Sequence, residues 1–280
     1  MVIQPLDSAD NKTMRQVKRL AHSQSARSKR AETVIEGPHL IEEALSCGLL
    51  PRLVVYSPKW VQHQAGRSLM VRLQALSIHV FYVTDRLFDE LSQVETPQGI
   101  LAVIPTPKGA TLDQVVDPGE VPLLLPVAAG IQDPGNLGTL IRAALAAGSP
   151  ALGVAPGTVD PFNPKCIRAS AGALFRLPVV ELSGDWQKIL HDAGIAVRMT
   201  AVDRGTPYFK VDWNKPVAIV LGNEGGGLSE DWFDRAEVVT IPMSPASESL
   251  NVSVAGAVLL FHAAYQRQAQ GVGFAPPAVV

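Results

Sequence analysis

"VAIVLGNEGGGLSEDWF", residues 217–233, decides the fold. Its first six residues are apolar without alternation. Side chains along a strand point to opposite faces in turn, so an unbroken apolar run suits a strand covered on both faces, as in a parallel sheet. The run ends in Gly222-Asn223-Glu224-Gly225-Gly226-Gly227. A glycine-rich turn lets main-chain N–H groups face a ligand at the carboxyl end of a strand, the usual ligand position in open α/β sheets. No Gly-Lys-Ser/Thr follows, so this is not a P-loop, and GNEGGG lacks the G-x-G-x-x-G spacing of a dinucleotide site. Glu224 would repel a phosphate and suits a cationic or hydroxyl-bearing ligand. A plain loop is the alternative.

The neighbouring stretches have the same character. "LLLPVAA" (123–129), "ALGVA" (151–155), "IAVRMTAV" (195–202) and "VVTIP" (238–242) read as further buried strands with helices between them. In "GIQDPGNLGTLIRAALAAG" (130–148), Asp133 or Asn136 can cap a helix and Gly148 can end it. Leu137, Leu140, Ile141, Ala144 and Leu145 fall at helical spacing and face a core. Gly138, Thr139 and Arg142 lie off that stripe. Glycine inside a helix costs about 0.5–1 kcal/mol relative to alanine, so Gly138 suggests close approach by another backbone or a ligand. Arg142 would project beside it; a surface arginine explains that residue equally well. In "SESLNVSVAGAVLLF" (247–261), Ser249 can cap a helix, which leaves Glu248 and Asn251 unexplained. Three strand-to-helix junctions of one sheet thus carry polar residues, and such junctions can converge on one ligand.

The first hundred residues also alternate. "TVIEG" (33–37), "LVVYS" (53–57), "HVFYVT" (79–84) and "GILAVI" (99–104) read as strands. "PHLIEEALSCG" (38–48), "WVQHQAGRSLMVRLQAL" (60–76) and "DRLFDELSQV" (85–94), the last capped by Asp85, read as helices. This is a small α/β domain. "PTPKGATLDQVVDPGEVP" is rich in Pro and Gly and reads as a linker. The expected division is 1–105, a linker at 106–121, a second domain at 122–270, and a disordered tail at 271–280.

Composition narrows the class. The chain has 280 residues, 47% of them hydrophobic and 18% charged, a length suited to two domains. No stretch approaches the roughly 20 consecutive apolar residues of a membrane span. The N-terminus lacks a signal-peptide core. Cys47 and Cys166 stand alone and the histidines are scattered, so a reduced, cytoplasmic, metal-free protein is expected. The net charge is −2, yet residues 12–30 carry Lys12, Arg15, Lys18, Arg19, Arg27, Lys29 and Arg30 without an acidic residue. Such a patch can bind phosphates of a nucleic acid even in an acidic protein. A solvated or partly disordered arm is the alternative.

Taken together, the three junctions resemble the SpoU (TrmH-type) family of RNA ribose 2′-O-methyltransferases, in the SPOUT superfamily. "DPGNLGTLIR" is similar to the family's first motif through Asp133, Pro134, Asn136, Gly138 and Arg142. "LGNEGGGLS" is similar to the second, and "IPM" followed by "ESLNVSVA" to the third. "PFNPKCIRASAGALFRLPV" (161–179) is similar to the segment between the first two. The resemblance covers about 122–268. The N-terminal hundred residues are similar, more weakly, to the family's ribosomal-protein-like RNA-binding domain.

The resemblance implies an α/β fold whose C-terminal parallel-sheet domain holds a trefoil knot. It implies S-adenosylmethionine as methyl donor, held by Thr200, Leu221, Gly222, Asn223, Gly225, Ile241, Met243, Ser249, Leu250 and Asn251. It implies a homodimer. Catalysis is assigned to Arg142, with Asn136, Glu224, Ser249 and Asn251 orienting it and the ribose. Because a free guanidinium is a poor base, Arg142 either accepts the 2′-proton with help from a substrate phosphate or fixes that phosphate and stabilises the alkoxide. RNA contacts are expected from the basic residues of 12–30 and from Lys165 and Arg168. Ribosomal RNA is favoured over transfer RNA. A non-catalytic RNA-binding relative is a further reading. A nucleotide-dependent oxidoreductase lacks its glycine fingerprint here, and a serine hydrolase lacks G-x-S-x-G.

Overall fold

Where apolar runs alternate with amphipathic ones, the chain builds two α/β units. The computed structural model describes residues 4–274 apart from 7, 9, 63, 77, 117–120, 223–229, 234 and 235. One unit comprises residues 1–107 together with 162–168, the other 108–161 and 169–280. Asn223, Glu224 and Gly225, expected at the site, lie outside the described residues.

The first unit runs β1 (Gln4–Pro5), α1 (Lys12–His22), α2 (Gln24–Arg30), β2 (Glu32–Glu36), α3 (Pro38–Ser46), β3 (Leu53–Tyr56), α4 (Pro58–Val61), α5 (Gln64–Ala75), β4 (His79–Tyr82), α6 (Asp85–Asp89) and β5 (Ile100–Pro105). Its sheet has the order β1-β4-β3-β5-β2. The first three strands are parallel, whereas β5 runs antiparallel to both β3 and β2. The basic stretch is a folded helix pair and not an arm. Met14, Val17, Leu20 and Ala21 of α1 are buried against Val34, Leu53, Val55 and Leu101. Gly37, at φ +103°, turns the chain out of β2, and Pro38 opens α3. Thr84, not Asp85, caps α6 through its hydroxyl. The helix expected over 60–76 is broken into α4 and α5. Within this unit, the Thr33 hydroxyl donates to the Phe162 carbonyl at 2.8 Å, tying in the segment 162–168.

The second unit runs α7 (Leu112–Val116), β6 (Leu124–Ala129), α8 (Pro134–Ala146), β7 (Leu152–Ala155), α9 (Pro164–Ala169, which falls almost wholly in the segment grouped with the first unit), β8 (Val179–Glu181), α10 (Trp186–Asp192), β9 (Ala196–Thr200), β10 (Thr206–Pro207), β11 (Val217–Gly222), α11 (Glu230–Phe233), β12 (Glu237–Thr240) and α12 (Val252–Ala269). Seven parallel strands lie in the order β10-β12-β9-β11-β6-β7-β8. Both faces are covered. One face packs Val127, Val180, Val197, Met199 and Val220 under α7, α10 and α11. On the other, α12 crosses α8 so closely that a Cβ on Gly256 would lie 2.6 Å from Leu140 and 2.9 Å from Leu221.

Ala110 and Val115, in the stretch read as a linker, are buried in this core. The tail read as disordered from 271 begins with described residues, and Phe274 packs on Gly148. Short strands β1, β8 and β10 carry too few residues to show a period, and the sequence reading passes over them. A buried guanidinium fastens the end of α12: Arg267 donates to the carbonyls of Trp213, Pro122, Leu123 and Lys215. Burial, and the nearby charge of Arg198, lower its pKa to about 10. Among the described residues no helix is long and apolar enough to cross a membrane.

Candidate functional site

Parallel strands place their carboxyl ends on one edge of the sheet, and that edge is where the singled-out residues of the second unit collect. Gly222, the last residue of β11, pairs in register with Ala129, the last of β6. Thr200 ends β9, and its hydroxyl donates to the Val220 carbonyl of β11 at 2.9 Å. Thr240 ends β12, and its hydroxyl donates to Val202 at 3.1 Å. Both threonine hydroxyls are therefore spent on holding the strand ends.

The loop leaving β6 is pinned to the loop leaving β7. The Gly130 N–H donates to the Thr158 hydroxyl, which donates to the Ala128 carbonyl. The Val159 N–H donates to Ile131, and the Gln132 amide donates to the Gly157 carbonyl. This clasp delivers Asp133, which caps α8 by accepting the Gly135 N–H at 2.5 Å. Asn136 follows in the first turn, half-buried. Arg142 is exposed farther along α8, and its side chain has no hydrogen bond or ion pair with another described residue. Gly138 is buried, not part of an open patch beside Arg142.

Asn251, not Ser249, caps α12. The helix begins at Val252, so the capping position falls on residue 251. The Asn251 Oδ1 accepts the N–H groups of Ser253 and Val254 at 3.0 and 3.4 Å, while its Nδ2 donates to Asn136 Oδ1 at 2.9 Å. Ser253, which sequence reasoning missed, is buried and donates its hydroxyl to the same Oδ1 at 2.6 Å. A lone serine on the inner face of an apolar helix was the available signal. Ser249 is exposed, and its carbonyl accepts from the Ser247 hydroxyl at 3.4 Å. The first turns of α8 and α12 are thus locked together over the ends of β6 and β11.

Between β12 and α12, Ile241, Met243 and Leu250 are half-buried, and their main-chain groups have no hydrogen-bond partner among the described residues. Partly buried main-chain donors and acceptors normally find partners. Open main-chain groups of this kind, beside apolar side chains, fit the edge and faces of an adenosine moiety. Thr200, Gly222, Ile241, Met243, Ser249, Leu250 and Asn251 include no cation that would favour a phosphate. S-adenosylmethionine, which has an adenosine and no phosphate, fits this donor set. Leu221 is buried beneath Gly256 and can offer such a ligand only its main chain.

The expected RNA contacts divide. Lys12, Arg15 and Arg19 are exposed along one side of α1, and Lys29 and Arg30 are exposed on α2. Lys18 is held by Glu90 at 3.3 Å, and Arg30 by Glu32 at 3.0 Å. Arg27 is a correction. It is buried, and its guanidinium donates to the carbonyls of Leu20 at 2.8 Å and Ala21 at 3.4 Å, which fastens α2 onto α1. A charge so engaged is not offered to a phosphate. Lys165 is exposed and Arg168 half-buried in the segment that groups with the first unit.

Comparisons with known proteins fit this architecture. Residues 124–261 match the model of the SpoU rRNA Methylase family, and residues 11–102 match an MRM3-like substrate binding domain. A 23S rRNA (guanosine(2553)-2′-O)-methyltransferase of Bacillus subtilis is 33% identical over 262 residues, covering 92% of this chain and 98% of that protein. The crystal structure of the SpoU methyltransferase AviRb from Streptomyces viridochromogenes, solved in complex with AdoMet, is 28% identical. It superposes with a TM-score of 0.78 over 92% of this chain and all of that one. An AdoMet-bound rRNA methyltransferase from Sinorhizobium meliloti is 25% identical, with a TM-score of 0.80 over 94% and 98% of the two chains.

Proposed function

The chain belongs to the SpoU rRNA methylase family, and on that premise we propose that it transfers the methyl group of S-adenosylmethionine to a ribose 2′-hydroxyl of ribosomal RNA. The observation that carries the reading is the Asn251–Asn136 bond. It draws the third junction onto the first, at the strand edge where β6 and β11 end.

The bound cofactor would supply an electrophilic methyl on a sulfonium. The chain's own task is then alignment of the 2′-oxygen and stabilisation of the charge that develops on it. Alignment alone can contribute up to about 7–11 kcal/mol. The main chain around Gly222, Ile241, Met243 and Leu250 binds the donor. Asn136, held by Asn251, orients the ribose, a task the resemblance also gives to Ser249 and to Glu224, the latter outside the described residues. Arg142, exposed and without a partner among the described residues, anchors a substrate phosphate and stabilises the developing alkoxide.

Family membership further supports a knotted passage of the C-terminal segment, a cytoplasmic location and a homodimer. For the dimer there is also an apolar stripe on α12. Val254, Val258, Phe261 and Tyr265 fall at helical spacing, and Val254, Phe261 and Tyr265 are about half exposed or more. An exposed apolar helix face of this kind marks an interaction surface. The basic side of α1 and α2 would select RNA.

The test is to map 2′-O-methylated positions on unmodified ribosomal RNA after incubation with the protein and labelled donor. A discrete labelled ribose is expected. Absence of label from ribosomal RNA, with label in transfer RNA, would redirect the substrate; label in neither would defeat the reading.

A further inference from the structure

We propose that Tyr56 and Tyr82, at the strand ends of the first unit, form a stacking platform for an unpaired base of the RNA substrate. The inference rests on the RNA reading above and assigns it a contact.

The two residues end adjacent parallel strands, in register, so both rings stand on the same face of the sheet. The backbone beneath them is fixed from both sides. The Leu6 N–H donates to the Tyr82 carbonyl, and the Val83 N–H donates to the Tyr56 carbonyl, each at 3.0 Å. The rings continue a graded row. Trp60 is buried and meets Tyr56 edge-on at 6.2 Å between centroids. Tyr56 is half-buried and lies 6.5 Å from Tyr82, tilted by 47°. Tyr82 is 38% exposed and ends the row in solvent. Neither phenol has a hydrogen-bond partner among the described residues. Burial, and the neighbouring Tyr82, hold the Tyr56 phenol above its ordinary pKa, so that ring is neutral at physiological pH.

A core aromatic that only filled space would not be extended outward by a second and third ring. Carboxyl ends of parallel strands are where open α/β sheets take ligands. Bases of single-stranded RNA stack on such rings without regard to sequence. Charge for the flanking phosphates is at hand on the helices that follow the two tyrosines. Lys59 of α4 and Arg86 of α6 are widely exposed. Among the described residues, Lys59 is held by Asp85 at 3.5 Å and Arg86 by Glu90 at 4.0 Å. The Lys59–Asp85 pair also shows that the two strand-to-helix turns sit side by side.

The test uses full-length protein and bacterial ribosomal RNA, with Tyr82→Phe and Tyr82→Leu. Leucine keeps an apolar cover over Tyr56 but has no π-face. Affinity in Y82L should fall roughly tenfold, and in Y82F by less than about twofold. AdoMet binding should be unchanged in both. Wild-type affinity in Y82L, or an equal loss in Y82F, would overturn the platform. If Y82L melts early, ultraviolet cross-linking of the wild type decides: RNA must attach to the peptides carrying Tyr56 or Tyr82, and attachment only elsewhere overturns it. Wild-type protein that binds ribosomal RNA no better than duplex DNA overturns the RNA reading, and the platform with it.

Discussion

The side-chain amide of Asn251 donates from Nδ2 to Oδ1 of Asn136 at 2.9 Å, across 115 residues of chain. Its Oδ1 meanwhile receives Ser253 N, Ser253 Oγ and Val254 N. One side chain therefore starts a helix and positions another residue. The two tasks are separable. Asn251→Ala loses the cap, which costs about 1 kcal/mol, and lowers the melting temperature by roughly 2–4 °C; it also removes the bond from Asn251 to Asn136. Asn251→Asp keeps an acceptor for the cap but loses the Nδ2 donor. N251D should melt near wild type and still transfer methyl groups slowly, whereas N251A should fail in both. Calorimetric melting beside a labelled-methyl assay checks this, and N251D with full turnover would remove Asn136 orientation from the mechanism.

Arg142 is exposed and touches no described partner, so its loss should barely change stability, by about 0.5 kcal/mol at most. Arg142→Ala is expected to reduce methyl transfer by roughly a hundredfold or more, the scale seen when a charge-stabilising donor is removed. AdoMet affinity by titration calorimetry should stay near wild type. Arg142→Lys keeps the charge but not the fork that grips a phosphate, and partial activity is expected. Wild-type turnover in R142A would exclude both roles considered for this residue.

Much of the fold was legible because it rests on local pattern. β6, β7, β9, β11 and β12 were each marked by an apolar run, and α12 from Val252 by its continuous apolar stretch. What escaped depends on distant partners. Nothing in "NKTMRQVKRLAHS" shows that Met14, Val17 and Leu20 will meet Leu53 and Val55 of strands far along the chain, so a packed helix read as an arm. Arg27 looked like one more surface cation because its acceptors are main-chain carbonyls, which a sequence cannot display. Ser249 and Asn251 can each serve as a cap by residue type; the helix start at Val252 decides for Asn251. The site motifs were visible as spacing, while the bond joining Asn136 to Asn251 was not.

His262 gives the second unit an acid-sensitive contact. Its Nε2 lies 3.1 Å from the Gln266 amide nitrogen and must accept there, so the ring is neutral. The same Gln266 bonds Trp213 and Val211. Burial lowers the His262 pKa below its ordinary 6.5. The unfolded chain therefore takes up this proton first as pH falls. Its contribution to stability is present above about 6.5 and is lost as pH drops toward the lower folded value. His262→Gln should flatten that part of the stability profile as pH falls below about 6.5 in urea titrations. An unchanged slope in H262Q would mean that another group titrates.

Lys12, Arg15 and Arg19 lie at i, i+3 and i+7 on α1, opposite the buried Met14, Val17 and Leu20. That geometry leaves their charge to solvent while the helix itself is held by packing. If they contact phosphates, each releases counterions on binding, and the dependence of log affinity on log salt steepens by about 0.7–0.9 per contact. The triple variant K12Q/R15Q/R19Q should therefore bind ribosomal RNA more weakly with a salt slope shallower by about two to three, at nearly unchanged melting temperature. Arg27→Met should do the reverse. Its guanidinium satisfies the carbonyls of Leu20 and Ala21, so stability should fall by about 1–3 kcal/mol while the salt slope stays as in the wild type. Filter binding across a salt series separates the two, and a shallower slope in R27M than in the triple variant would reverse the assignment of these cations.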